Sequence, residues 1–393
     1  MKIRLFSWCM AVLLSLLPAC SQDQKGYETL RIGLVDVAES KQAFFDDALT
    51  FNSRLALARH SDDGVIKQGN KRVRILLITL PMSTLPEAPR QVVFESVNTY
   101  GAGVILGGAR SKITASMAAA AEQLRVPYIA TSSSSSAATK GLSYSFSITP
   151  PTKTQALHYA AFLRDSLKAR RIAMLVEEDA LFNADFANEL RINHVDNGGE
   201  IALQRFYSPE ENLDQKLADI AGANPDAVVL NGREPGCFAV ARALSERGYR
   251  NPLICVHCRK MSLQEIDEEV PVLPMPIYTL SYWNSSGISP EAERYILDFI
   301  DLAGHAPLEN DVLAYDAVVL LLDAIRSATD IKPQTIRDEL AKRTRHAGIL
   351  GNYTLQPEVK LDTLWRVCLL DGKLGIDEIL LPGINRKLSP AEQ

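Results

Sequence analysis

From Leu30 onward the chain alternates short apolar runs with stretches whose apolar residues recur at spacings of three and four. That alternation predicts parallel strands covered by helices on both faces. Leu30 to Val35 reads as the first strand. Phe44, Ala48, Phe51, Leu55 and Ala58 form one stripe of the following helix and are expected in the core. A polar stretch, 60–71, holds Gly64 and Gly69 and reads as a connection to a strand over 73–80, then a helix over 90–100. Up to Thr149 the order is βαβαβαβ, one doubly wound unit. Pro150 and Pro151 break the rhythm, because proline fixes its own dihedral and pushes its predecessor towards an extended form.

A second series follows, with helices over 154–168, 184–197, 213–221 and 236–247 and strands over 171–176, 200–206, 227–230 and 253–256. Beyond Pro271, Pro274 and Pro276 come a strand over 278–282 and helices over 290–303, 311–327 and 333–343. The helix over 311–327 carries its stripe at Val312, Tyr315, Val319 and Leu322, and short strands over 352–355 and 364–370 finish the pattern. The expected fold class is α/β, with two Rossmann-like units; no repeat of solenoid length is present.

The stretch 103–136 concentrates the candidate chemistry. It reads as a buried strand, the Gly107-Gly108 turn, a helix from Ser111, a second strand, and then five serines from Ser132 to Ser136. Two strand ends therefore open onto one crevice. Glycine lets the backbone turn sharply and approach a ligand, and a helix that starts at Ser111 offers free amides and a positive dipole end to an anion. The local physics points to a small-molecule carboxylate site.

With 47% hydrophobic and 23% charged residues, the chain can bury a large core. Its net charge of −5 and the lack of a basic stripe interleaved with aromatics exclude nucleic acid as a partner class. Residues 1–19 read as an export signal: Lys2 and Arg4 precede the apolar run from Leu5 to Leu17, too short for a spanning helix. Leu17, Ala19 and Cys20 resemble the lipobox of bacterial lipoproteins, which implies lipidation of Cys20, a tether over 20–27 and a periplasmic, lipid-anchored location. Simple secretion with an unmodified Cys20 is the alternative. Ser21 after the cysteine fits outer-membrane sorting.

Cys237, Cys255, Cys258 and Cys368 then remain in an oxidising compartment, and four cysteines allow three pairings. Cys255-Val-His-Cys258 meets neither a haem-attachment nor a four-ligand zinc pattern, so no metal and no cofactor is expected. The six histidines are scattered, and GxSxG, HExxH and phosphate-loop patterns are absent. Serines without a positioned base make a binding surface, not a nucleophile site, so the chain reads as a non-enzyme.

Four segments in this order and spacing resemble the type I periplasmic binding proteins of the leucine/isoleucine/valine-binding group. They are Gly103-Val-Ile-Leu-Gly-Gly with Val126-Pro-Tyr-Ile-Ala-Thr, Arg171-Ile-Ala-Met-Leu-Val, Pro225-Asp-Ala-Val-Val-Leu and Ala314-Tyr-Asp-Ala-Val-Val-Leu-Leu-Leu-Asp-Ala-Ile. The resemblance covers roughly Leu30 to Gly372. It implies two lobes joined by three crossovers, lobe 1 being 28–149 plus 282–351, lobe 2 150–281 plus 352–385, and 386–393 a tail. It implies a ligand between the lobes, delivered to the permease of an ABC transporter.

The resemblance places the carboxylate contacts on Ser111, Ser132 and Ser134. The acids that hold an amine in relatives fall near Thr152 and Cys258, and neither carries a negative charge. After Val176, where relatives carry a Tyr-Gly pair, Leu181 and Phe182 are offered to the cleft. After Leu230, Arg233 either forks onto a ligand carboxylate or folds outward against Glu234. Asp36 and Glu39 either replace the missing acids or balance a helix dipole. The expected function is capture of an amino-acid-like, amide or carboxylate ligand for transport. The alternative is an outer-membrane lipoprotein that regulates or senses with the same fold.

Overall fold

The computed structural model describes residues 26–37, 43–82, 85, 87–108, 111–135, 138–178, 181–232, 235–256, 273–283, 289–342, 346–355, 360–362, 365–370, 374–381 and 384–386. Its first unit contains β1 (Glu28–Val37), α1 (Ala43–His60), β2 (Val65–Gln68), β3 (Lys71–Met82), α2 (Ala88–Asn98), β4 (Ala102–Gly107), α3 (Ser111–Leu124), β5 (Tyr128–Ala130) and β6 (Ser145–Ser147). These strands form a 6-stranded sheet in the order β2-β3-β1-β4-β5-β6. β1, β3, β4, β5 and β6 pair in parallel, and β2 is antiparallel to β3. The polar stretch after α1 is thus a hairpin arm rather than a plain connection. Val65 and Ile66 are buried while Lys67 stays exposed, a half-buried edge that a mainly polar composition conceals.

The chain leaves this sheet through α4 (Thr152–Ala161), which a π turn over Phe162–Ser166 ends, so the helix read as continuous to Lys168 changes its winding. β7 (Arg171–Glu177), α5 (Leu181–Asp196), β8 (Glu200–Tyr207), α6 (Asp214–Ala223), β9 (Ala227–Asn231), α7 (Pro235–Glu246), β10 (Leu253–Cys255) and β11 (Ile277–Ser281) build the second unit. Then come α8 (Pro290–Ala303), α9 (Glu309–Ser327), α10 (Pro333–Lys342), β12 (His346–Ala347), β13 (Asn352–Thr354), β14 (Lys360–Asp362), β15 (Trp365–Leu370), β16 (Leu374–Leu381) and β17 (Ile384–Arg386). The second sheet is 8-stranded, in the order β17-β16-β15-β11-β10-β9-β7-β8, and β12, β13 and β14 form a small antiparallel sheet. β15 pairs antiparallel with β11, and β16 and β17 extend that edge beyond the strand where the sequence pattern finishes.

One apolar cluster runs from β1 and α1 through α4, β7 and α5 to α9. In α1 the predicted stripe is rotated. Ala48 and Leu55 are buried and Phe51 packs against the core, but Ala58 is exposed, while Asn52 and Ser53 are buried. Asn52 is tolerated because it donates to Asp311 at 2.9 Å and accepts from the Tyr295 hydroxyl at 2.8 Å, whereas the Ser53 hydroxyl has no partner among the described residues. α9 is buried on nearly every side, not along one stripe, because α1, β2 and α10 all pack on it. Its Asp316 accepts from the Ile349 and Leu350 amides and the Tyr353 hydroxyl, and so pins the loop between β12 and β13.

Candidate functional site

The C-terminal ends of β4 and β5 meet at Gly107, Gly108 and the loop 131–135. Gly107 (φ 147) and Gly108 (φ 92) both lie in conformations that favour glycine. A Cβ on Gly108 would stand 2.2 Å from the Tyr128 hydroxyl and 2.6 Å from Thr114 Oγ1, and one on Gly107 2.6 Å from the Val35 carbonyl. Space as well as dihedral angle therefore excludes a side chain here. The close approach is used: the Tyr128 hydroxyl donates to the Gly107 carbonyl at 3.0 Å, and Thr114 and Ser132 donate to the Gly108 carbonyl at 3.3 and 3.1 Å. Burial pushes the Tyr128 phenol well above its usual range, so it stays a donor.

The serine loop is tied down in the same way. Ser133 Oγ donates to Ser111 Oγ at 3.3 Å, and Ser147 Oγ donates to the Ser133 carbonyl at 3.1 Å. The Thr152 amide and hydroxyl both donate to the Ser134 carbonyl at 2.9 Å. Ser111, Ser132, Ser134 and Thr152 thus come together in one hydrogen-bonded network. Thr152 spends its proton on the loop backbone; Ser134 Oγ has no partner among the described residues, and Ser111 Oγ accepts from Ser133. A helix's first amides have no intrahelical acceptor, so the start of α3 adds donors beside these hydroxyls.

At the strand ends of the second sheet, Glu177, Asn183, Tyr207 and Asn231 are all buried. Asn183 Nδ2 donates to the Glu177 carbonyl at 3.0 Å, and Asn231 Nδ2 donates to the Asn183 carbonyl at 2.8 Å. A Cβ on Gly232 would meet the Tyr207 hydroxyl at 1.8 Å and Glu177 Cβ at 3.3 Å. Cys237, in the first turn of α7, is disulfide-bonded to Cys255 at the end of β10 with a Cα–Cα distance of 6.3 Å. That bond is one of the pairings left open by the sequence, and it ties the start of α7, just after the segment that holds Gly232, to the end of β10. Phe182 is buried and stacks on Phe186 at 5.6 Å, and Phe186 meets the Tyr159 ring edge-on at 5.2 Å, so it sits against the core with Leu181 partly exposed beside it. Arg233, Glu234, Cys258 and Glu39 lie outside the described residues. Asp36 is in β1, opposite Pro81.

Among the described residues a side-chain contact joins the serine loop to α5. Ser135 Oγ, on the loop that leaves β5, donates to Asp185 Oδ2 of α5 at 2.6 Å. Sequence reasoning passed over Asp185, Ser133 and Ser135. An acid near a helix start reads as dipole compensation, and five consecutive serines give no signal for which hydroxyls face inward. Buried His158, pushed down to about 4 by desolvation, is a neutral histidine of α4. Among the described residues no group of three metal-ligating side chains occurs, and no helix is long and apolar enough to cross a membrane.

Comparison with known proteins bears on the whole chain. Residues 29–360 match the family described as periplasmic binding protein. A leucine-binding protein, LivK, of Thermotoga maritima superposes with a TM-score of 0.78 at 16% identity, covering 90% of this chain and 99% of that one. The branched-chain amino acid transporter substrate-binding protein LivJ of Streptococcus pneumoniae, solved with isoleucine, gives 0.77 at 19% identity, covering 90% and 100%. A solute-binding protein of an ABC transporter from R. palustris, solved with benzoate, gives 0.75 at 16% identity, covering 90% and 97%. No curated protein sequence matches the chain. At these identities the superpositions establish the shared fold, and the match over 29–360 establishes the kinship: the chain belongs to the type I periplasmic binding proteins.

Proposed function

We propose that this chain is an extracytoplasmic solute-binding lipoprotein, not an enzyme, that captures a small amino-acid-like, amide or carboxylate ligand between two lobes and hands it to an ABC transporter permease. The observation that carries the reading is the network at the ends of β4 and β5, where backbone, glycine turn and serine loop are mutually braced beside the start of α3. Such a mouth presents hydroxyl and amide donors already oriented, so a carboxylate gains charge-assisted hydrogen bonds without first ordering the loop. Ser111 and Ser134 hold the carboxylate through their hydroxyls and Ser132, whose hydroxyl donates to the Gly108 carbonyl, through its backbone amide; Thr152 holds Ser134 in place, and Phe182 and Arg233 complete the second wall. Lobe 1 comprises 28–149 with 282–351 and lobe 2 comprises 150–281 with 352–385. Cys20 carries the lipid that anchors the protein in the periplasm.

The full chain in detergent, screened by thermal shift against amino acids, amides and aliphatic and aromatic acids, tests this reading. A ligand at one hundred times its dissociation constant should stabilise by about 2.7 kcal/mol. Absence of stabilisation by every class would defeat it. Incorporation of labelled palmitate that disappears in Cys20→Ala checks the anchor. Recovery of an envelope enzyme, without permease subunits, in a membrane pull-down would replace transport by regulation.

A further inference from the structure

The chain enters the first sheet at Tyr27, and the residues around that point carry charge opposite in sign to the molecule's net −5. In β3, Arg72, Arg74 and Leu76 take alternate positions and share one face, while Val73 and Ile75 between them are buried in the core. Strand pairing adds to that face: Lys67 of β2 lies opposite Arg72, and Arg31 of β1 lies opposite Leu76. The Arg72 and Arg74 guanidinium groups stand 4.7 and 5.4 Å from the centre of the Tyr27 ring. Further along β3 this face is covered by α2, and Leu80 and Met82 are buried. At the near end Leu76 is 40% exposed, and Lys67, Arg72 and Arg31 are exposed with it. These cations are scattered in the sequence and form a patch only through strand pairing.

No strand residue on this face of β1, β2 or β3 is acidic. Asp62, 89% exposed, stands 3.6 Å from Arg72, and Glu28, which lies opposite Val73 and so on the other face, pairs with Lys71 at 2.8 Å. A lysine on an edge strand guards against stray pairing, which accounts for Lys67. β3 and β1 are interior strands in the order β2-β3-β1-β4, so edge protection does not account for Arg72, Arg74 or Arg31. Position supplies the partner. With a lipid on Cys20, the chain from Cys20 to Tyr27 reaches at most about 25 Å, so this face is held close to the bilayer. Guanidinium and ammonium groups bond lipid phosphates, and a tyrosine and a leucine beside them suit the headgroup level. We propose that the face formed by Lys67, Arg72, Arg74 and Arg31 beside Tyr27 docks on the anionic phospholipid headgroups of the membrane that holds the anchor, an inference that rests on the lipid anchor of the reading above. The mouth lies at the opposite ends of these parallel strands, so docking leaves it open.

Amine footprinting decides it, with the full chain purified from membranes in detergent, inserted into preformed vesicles and treated with an acetylating reagent. In vesicles with about one third phosphatidylglycerol, Lys67 should react at least about three-fold more slowly than in phosphatidylcholine alone. Lys153, exposed at the start of α4, should react equally in both. Salt at about 0.5 M should remove the protection, because charges at an open surface are screened. Arg72→Glu with Arg74→Glu should abolish it, Arg72→Lys with Arg74→Lys should keep it, and circular dichroism establishes that both variants fold. Equal labelling of Lys67 in the two vesicles, with lipid found on Cys20, overturns the inference and leaves the anchor standing. Protection that persists in the glutamate variant, or its equal loss in both variants, also overturns it. If mass spectrometry finds no lipid on Cys20, the anchor itself falls, and this inference with it.

Discussion

The loop that leaves β5 and the segment that leaves β9 both stand at C-terminal ends of parallel strands, yet they are held differently. The first is fastened by many weak bonds: the Gly107, Gly108, Ser133 and Ser134 carbonyls each accept from a nearby hydroxyl. Beside the second, one covalent bond joins Cys237 of α7 to Cys255 of β10, and Asn231 and Asn183 are hydrogen-bonded at the strand ends. A distributed mesh fixes the direction of the Ser132, Ser133 and Ser135 hydroxyls on the loop. A single disulfide ties two elements together at one point, here α7 to β10. The difference is one of kind: many weak bonds order a loop residue by residue, whereas one covalent bond joins two elements.

The sharpest way to break this contrast is Gly108→Ala. The new methyl would stand 2.2 Å from the hydroxyl of fully buried Tyr128, at a φ of 92. Overpacking and backbone strain together should cost about 4 kcal/mol, read as a shift of the denaturant midpoint, and ligand-induced stabilisation should vanish with it. A loss below about 1 kcal/mol would mean that the mesh is soft.

The helix beneath the first sheet gives a pH signature. Burial raises the carboxyls of Asp311 and Asp316 to about 6, against the backbone and side-chain donors that lower them. The folded chain then holds these protons more tightly than the unfolded chain. Stability from protonation is fully present below about pH 4 and is withdrawn as pH rises through about 6, on the order of 3 kcal/mol for Asp316. Urea titrations between pH 4 and 7 should show this fall, and Asp316→Asn should flatten it. A stability that rises over this window would contradict the assignment.

Cys237→Ala with Cys255→Ala tests the disulfide. Opening a loop with a sequence separation of 18 should cost about 3 kcal/mol, and hydrogen exchange should accelerate around β9 and α7 while the serine loop keeps its protection. Acceleration at both mouths would dissolve the comparison.

Gly232→Ala and Thr152→Val give the smallest effects. Gly232 is not in the left-handed region, so only overpacking against the buried Tyr207 ring opposes the new methyl, and about 2 kcal/mol is expected. Thr152→Val removes the donor to the Ser134 carbonyl for about 1 kcal/mol of stability, with Thr152→Ser restoring it. Their value is diagnostic: the threonine change should weaken carboxylate binding, and the glycine change should leave it intact.

Much of the first mouth was legible in the residue order. Gly107-Gly108 after an apolar run, Ser111 at a helix start and Ser132 after the next strand announce themselves through backbone rules that operate within a few residues. Ser133, Ser135 and Asp185 were not legible, because which hydroxyl in a run of five turns inward depends on Ser147, Thr152 and α5, up to 50 residues away. Asn52 was hidden for a similar reason. Its place in the core makes sense only once Asp311, 259 positions later, is seen to receive it.

By itself the sequence determined the alternation of strands and helices, the two doubly wound units and the kinship, because hydrophobic period and turn chemistry act locally and survive without knowledge of partners. The tertiary structure alone decided the hairpin arm at Val65–Gln68, the antiparallel edge beyond β11, the choice of Cys237 for Cys255, and the approach of Asp185 to the serine loop. Each of these is a pairing between distant segments. A pairing energy belongs to two positions at once, and neither position announces it alone.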